Sequence, residues 1–155
     1  MQSLLVIMSR EESIEYMKKL SDEVSRSRNN PENYVNSFEE SINRFKSNLG
    51  RWQMQECVCG PLDQAKLLYK VKRCEWADAL KEFDSEFCHA MLCYSDFEGA
   101  KNLNPNFVLT RKKTLMMGDD YCDFCYHDAR KTDDLIHPPE SAFAVSYTHL
   151  TLPTN

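Results

Sequence analysis

Apolar positions set the first element. Ile14, Met17, Leu20 and Val24 recur at near-helical spacing behind Ser9-Arg10-Glu11-Glu12, a serine followed three residues later by glutamate. This pattern predicts a solvent-facing amphipathic helix of about four turns, ended by the polar run Arg26 to Asn30. A second helix is expected from Pro31 to Gly50. Asn30 can cap it, proline suits its first position, and Gly50 can close it in a left-handed conformation. Tyr34, Phe38, Ile42, Phe45 and Leu49 would form its buried stripe.

Beyond Gly50 the period changes. Gln55 to Cys59 reads as a short strand ended by Gly60-Pro61. Leu67 to Cys74 is a firmer strand, with Leu67, Tyr69 and Val71 on one face and Leu68, Lys70 and Lys72 on the other. Glu75 to Phe83 is expected to be helical. Asp84 or Ser85 can cap a further helix to about Ala100, and Asn104-Pro105 breaks it. Phe107 to Leu115 reads as a strand, Met117-Gly118-Asp119-Asp120 as a turn, and Tyr121 to His127 as the antiparallel partner. The expected class is α+β: a small antiparallel sheet with amphipathic helices packed on one face.

Length and composition narrow the class of molecule. A chain of 155 residues favours one domain, expected here over residues 1–144. The segment from Val145 to Asn155 looks like a translated sequencing-library adapter and is read as a non-native tail, so His149 carries no functional meaning. The start, MQSLLVIM, has no basic region and too short an apolar run for a signal peptide or a membrane span. A cytoplasmic setting with reduced thiols is therefore expected for the seven cysteines. A net charge of −5 weighs against nucleic acid and anionic membranes as partners. The one tight basic cluster, Arg111-Lys112-Lys113, is expected on a solvated strand edge. No cofactor is expected, because no phosphate-binding glycine loop is present, and no Ser-His-Asp signature occurs either.

Candidate chemistry lies between Cys74 and His127. Cys122-Asp123-Phe124-Cys125 has the gap of a zinc knuckle, with Cys57 and Cys59 as a possible second pair. On a strand, however, Cys122, Phe124 and Tyr126 share one face and Asp123, Cys125 and His127 the other, so no metal is assigned. His89, Cys93 and Asp96 fall on one helical stripe, and an imidazole and a carboxylate can orient and deprotonate a thiol. Buried filler is the simpler role for such a cysteine. Cys74 stands at the mouth of a helix, where a thiol can be activated or merely packed. Asp119 and Asp120 are first of all turn formers.

Five features together resemble the L-2-amino-thiazoline-4-carboxylic acid hydrolase family. They are Val71-Lys72-Arg73-Cys74 opening a helix, Cys93-Tyr94-Ser95-Asp96, Asn104-Pro105, Leu109-Thr110-Arg111-Lys112-Lys113-Thr114-Leu115, and Gly118-Asp119-Asp120-Tyr121-Cys122-Asp123-Phe124. The resemblance runs from about Lys70 to His127 and includes the two N-terminal helices only in general character. His89 is not part of the family pattern, and Cys125 stands where a basic residue is common. The family implies hydrolytic opening of a cyclic amidine thioether, a small-molecule substrate, to an N-carbamoyl-cysteine. On that resemblance, Cys93 or Cys122 is nucleophile or proton donor and Asp96 is base or orienter. Arg111 is the clamp for the substrate carboxylate, and Cys74 lines the pocket. The Gly-x-x-x-Cys-x-Phe core also resembles 4-vinyl reductase-type domains, which implies as the alternative a non-catalytic small-ligand sensor.

Overall fold

A computed structural model describes residues 8–48, 54–144 and 148–151. Helix α1 (Arg10–Ser27) starts at the expected capping box: Ser9 Oγ accepts from Glu12 N–H, and the Glu12 carboxylate accepts from Ser9 N–H. Its buried face is not the apolar stripe. Ser13, Ser21 and Ser25 are the buried positions, while Tyr16, Leu20 and Val24 are exposed. Small hydroxyl side chains let α1 lie close against the helices beneath it.

The second helix is shorter than expected. Pro31–Asn33 form one 3-10 turn capped by Asn30, and α2 begins only at Phe38 (Phe38–Asn48). The break has a cause in Val35, which buries its side chain and donates its N–H to the Leu103 carbonyl at 2.8 Å. Ser37 then caps α2 through Glu40 N–H. The expected stripe survives in Phe38, Ile42 and Phe45, without Tyr34. Leu49 and Gly50 lie outside the described residues.

Strands β1 (Met54–Pro61) and β2 (Lys66–Cys74) form an antiparallel hairpin. Gly60 and Pro61 remain in register opposite Leu68 and Leu67, so the strand runs past its expected end. Helix α3 (Glu75–Leu80) follows, with no fully buried residue. The long helix expected from Asp84 to Ala100 is three pieces: α4 (Ser85–Cys88), a π turn (His89–Cys93), and α5 (Asp96–Leu103). Strand β3 (Phe107–Thr110) stops five residues earlier than expected. A long loop with a 3-10 turn (Leu115–Met117) replaces the tight hairpin and closes at Gly118, whose φ is 93°. Strand β4 (Cys122–Asp128) completes the antiparallel ladder in the order β3-β4-β2-β1, and β5 (Thr148–Thr151) lies on the outer edge of β1. This last pairing is one of backbone groups, which a bare sheet edge offers to any extended segment.

The molecule is α+β, with the helices on one face of the sheet. On that face Cys57, Cys59, Leu67, Tyr69, Val71, Phe107, Leu109, Cys122 and Phe124 pack against α2, α5 and Val35. Strand alternation sends Leu68 and Cys125 to the other face, under Tyr121 and Phe143. There the segment after β4 crosses back beneath the sheet and ends in a 3-10 turn (Glu140–Ala144). Among the described residues no helix is long and apolar enough to cross a membrane.

The π turn explains the serine face of α1. In an α-helix the Ala90 carbonyl would accept from Tyr94 N–H; here Tyr94 N–H bonds to the His89 carbonyl at 2.9 Å. Ser21 Oγ donates to the released Ala90 carbonyl at 2.7 Å, and Ser25 Oγ lies 3.3 Å from the Ser95 carbonyl. Ser21→Ala removes the donor and leaves a buried carbonyl unpaired. Its unfolding free energy should fall by about 1–3 kcal/mol in urea denaturation. An unchanged midpoint and slope would show that Ser21 does not hold the turn.

Candidate functional site

Arg111 is the first residue after β3, where the chain leaves its pairing with β4. Its side chain enters the helix face of the sheet and is 2% exposed, so it does not sit on a solvated edge as expected. The guanidinium carbon lies 5.0 Å from the Phe124 ring centroid and 5.2 Å from that of Phe97. These rings offer their electron-rich faces to the cation. Nη1 donates to Asp96 Oδ2 at 2.7 Å, and Nη2 donates to the Cys93 carbonyl at 3.0 Å. That carbonyl is available because Phe97 N–H turns to Tyr94 instead.

His89 completes the shell, with Nε2 at 3.1 Å from Arg111 Nη2. A guanidinium only donates, so Nε2 accepts and the imidazole is neutral, its proton on Nδ1. Burial, then the charges of Arg111 and Lys18, push the His89 pKa down to about 4. The stripe of His89, Cys93 and Asp96 therefore assembles around a residue it did not include. All three meet at Arg111, and the imidazole nitrogen nearest the site is engaged with the cation rather than with a thiol.

The thiols lie around the same charge. Cys93 senses Asp96, Arg111, Cys122 and Cys74, and Cys122 senses Arg111 and Cys74. Cys74 itself is half-buried at the start of α3 and packs against the core of the helix face. Burial first, and then the Asp96 charge, push the Cys93 thiol up to about 12. Burial also raises Cys122, whose thiol donates to Thr114 Oγ1 at 3.7 Å and accepts from Leu115 N–H at 3.3 Å. Both cysteines are thiols at neutral pH, with protons to give. Burial raises the Asp96 carboxyl against the opposing pull of Arg111, while 36% of its side chain stays open to solvent.

Other expectations fall elsewhere. Cys125 is fully buried on the far face, so Cys122 and Cys125 cannot hold one ion between them. Asp119 accepts from Thr114 N–H at 2.7 Å and closes its loop, and Asp120 pairs with Lys113 at 3.4 Å. Sequence spacing missed Phe97, and it put Phe124 and Tyr126 on the face of Cys122 without giving either a role. Tyr126 shares the face of Cys122, and its hydroxyl feels Asp96 and Arg111 besides the burial that raises it. The alternation of residues 122, 124 and 126 was the available signal.

These positions are the ones a family model covers. The model for L-2-amino-thiazoline-4-carboxylic acid hydrolase matches residues 4–126. The chain belongs to that family. The match takes in α1 and α2 as well as the region expected from the motifs, and every residue around Arg111 falls inside it. Neither a curated protein nor a solved structure matches the chain.

The thiol state in this family member can be tested directly. Raising Cys93 from its ordinary 9.0 to about 12 cuts its thiolate a thousandfold at neutral pH, and greater intrinsic nucleophilicity restores part of that, leaving alkylation about thirtyfold slower. Iodoacetamide labelling followed by peptide mass spectrometry should show this lag at pH 7.5 against the urea-unfolded chain. In the folded protein the rate should keep climbing above about pH 10, where the unfolded thiol has levelled off. Labelling at the unfolded rate would contradict the buried-thiol assignment.

Proposed function

We propose that this chain hydrolyses 2-amino-thiazoline-4-carboxylate or a closely related cyclic amidine. The observation that carries the reading is the gathering of Cys93, Asp96 and Cys122 about Arg111 on one face of the sheet, with Cys74 beside the two thiols. Membership of the hydrolase family supplies the reaction class.

The reaction adds water to the ring carbon between nitrogen and sulfur. The carbon–sulfur bond breaks, sulfur leaves with one of the water's protons, the ring nitrogen takes the other, and the carbon becomes the carbonyl of a carbamoyl group. Asp96 takes the proton from the attacking water; its raised pKa and open edge suit a base. Cys93 or Cys122, each held as a thiol rather than a nucleophilic thiolate, hydrogen-bonds the departing sulfur and gives it a proton as the sulfur gains charge, and is reprotonated by the hydroxyl on the carbon as the carbonyl forms. Arg111 receives the substrate carboxylate. Three of its five N–H donors already serve Asp96, the Cys93 carbonyl and His89, and the edge open to solvent is the one Asp96 holds, so the incoming carboxylate displaces Asp96 and releases the base. Cys74 borders the ring.

Ring opening can be followed by NMR, with Cys93→Ser, Cys122→Ser and Asp96→Asn beside the parent. Asp96→Asn should lower kcat by about 10²- to 10⁴-fold, the usual weight of a general base. One of the two serine variants should lose at least tenfold. If all three turn over like the parent, the site assignment is wrong. A parent that is stabilised by the substrate without opening it would favour the sensor reading of the 4-vinyl reductase-type resemblance.

A further inference from the structure

On the face of the sheet away from the candidate site, four polar side chains form one continuous chain. Asp123 Oδ1 accepts from both Lys112 N–H at 2.8 Å and Lys113 N–H at 2.7 Å. Asp123 Oδ2 lies 3.0 Å from His137 Nε2, with side-chain exposures of 7% and 6%. His137 Nδ1 lies 2.9 Å from Thr110 Oγ1, and Thr110 Oγ1 lies 2.8 Å from His127 Nε2.

With His137 as a neutral imidazole, one proton order satisfies the chain. A carboxylate facing Nε2 requires a proton there, so His137 Nδ1 accepts from the Thr110 hydroxyl. Thr110 in turn accepts from His127 Nε2–H. His127 is fully buried, and burial lowers its pKa, which agrees with a neutral ring. His137 also stacks on Phe143, with ring centroids 5.5 Å apart and planes at 14°. Phe143 is buried against Leu68, Tyr121 and Cys125. The imidazole is thus held by its ring face and by both nitrogens.

The tied groups are residues 110, 112 and 113, which bracket Arg111. Asp123 sits between Cys122 and Phe124, both of which face the guanidinium site. We propose that His137 is a positioning residue: through Asp123 and Thr110 it clamps the backbone on both sides of Arg111 and so aims the guanidinium across the sheet. His137 lies beyond the 4–126 span of the family model, so the segment behind the sheet becomes part of the site's machinery. The inference rests on the functional reading above for its effect on turnover, but not for its effect on the backbone.

The test uses the full chain with His137→Ala and His137→Gln. Glutamine carries one donor and one acceptor and can replace both imidazole contacts. In His137→Ala, hydrogen exchange at the Lys112 and Lys113 amides should quicken at least tenfold, with β1–β2 amides unchanged. The value of kcat/KM for the carboxylate substrate should fall at least tenfold, with KM rising as the clamp slackens. His137→Gln should restore both readouts. Unchanged exchange at residues 112 and 113, or a glutamine variant as impaired as alanine, would overturn the proposal. If His137→Ala does not fold, Thr110→Val cuts the same chain with an isosteric side chain, and the same two amides decide. A parent that opens no ring would remove the functional reading, while the exchange result still decides the clamp.

Discussion

A guanidinium that is 2% exposed is the constraint around which this molecule is arranged. Removing such a charge from water costs several kcal/mol even after relaxation, and one ion-pair partner rarely repays it. Arg111 has more than one. Asp96 supplies the countercharge, the Cys93 carbonyl and the His89 ring supply lone pairs, and two aromatic faces enclose the ion. The partners come from His89, Cys93 and Asp96-Phe97 along the α4–α5 region and from Phe124 in β4. The arginine therefore holds the helix layer to the sheet at the point where chemistry is proposed.

Those partners depend on a local irregularity. Only because the π turn shifts the hydrogen-bond ladder does the Cys93 carbonyl turn toward Arg111 and the Ala90 carbonyl toward α1. The serines of α1 make the irregularity tolerable, since Ser21 returns to Ala90 the bond it lost. Arg10 adds a second tie to the same region through Asp84 and Glu86 at the start of α4, although this pair is exposed and contributes little. The outer helix thus supports the site from outside, and of its charges that of Lys18 is felt there, at His89.

Strand alternation was the most legible part of the sequence. It placed Cys122, Phe124 and Tyr126 on one face and Asp123, Cys125 and His127 on the other, as the core clusters and hydrogen bonds show. The capping box of α1 was equally plain, because its signal is local. Where the reading went astray, a distant partner decided. Val35 left its helix for Leu103, and the serines of α1 became its buried face because of a carbonyl some seventy residues later. Arg111 looked like part of a solvated basic cluster because nothing in Arg111-Lys112-Lys113 tells which side chain turns inward. Only the end of β3, set by pairing with β4, separates it from Lys113, which pairs at the surface with Asp120 and Glu140.

The resting charge balance bears on how such a site would work. Arg111 and Asp96 form a near-neutral pair, with Arg111 pulling the carboxyl down against the burial that raises it. A substrate carboxylate that takes the guanidinium from Asp96 removes that pull and adds a second negative charge nearby. Both effects raise the affinity of Asp96 for a proton. The base would therefore strengthen as the substrate arrives, and remain quenched without it. The buried thiols complement this, because burial and the Asp96 charge hold Cys93 protonated while Asp96 is ionised. In the proposed reaction a buried cation between one carboxylate and several thiols would thus keep acid and base apart in a small site, and the ring sulfur would leave toward the protonated side.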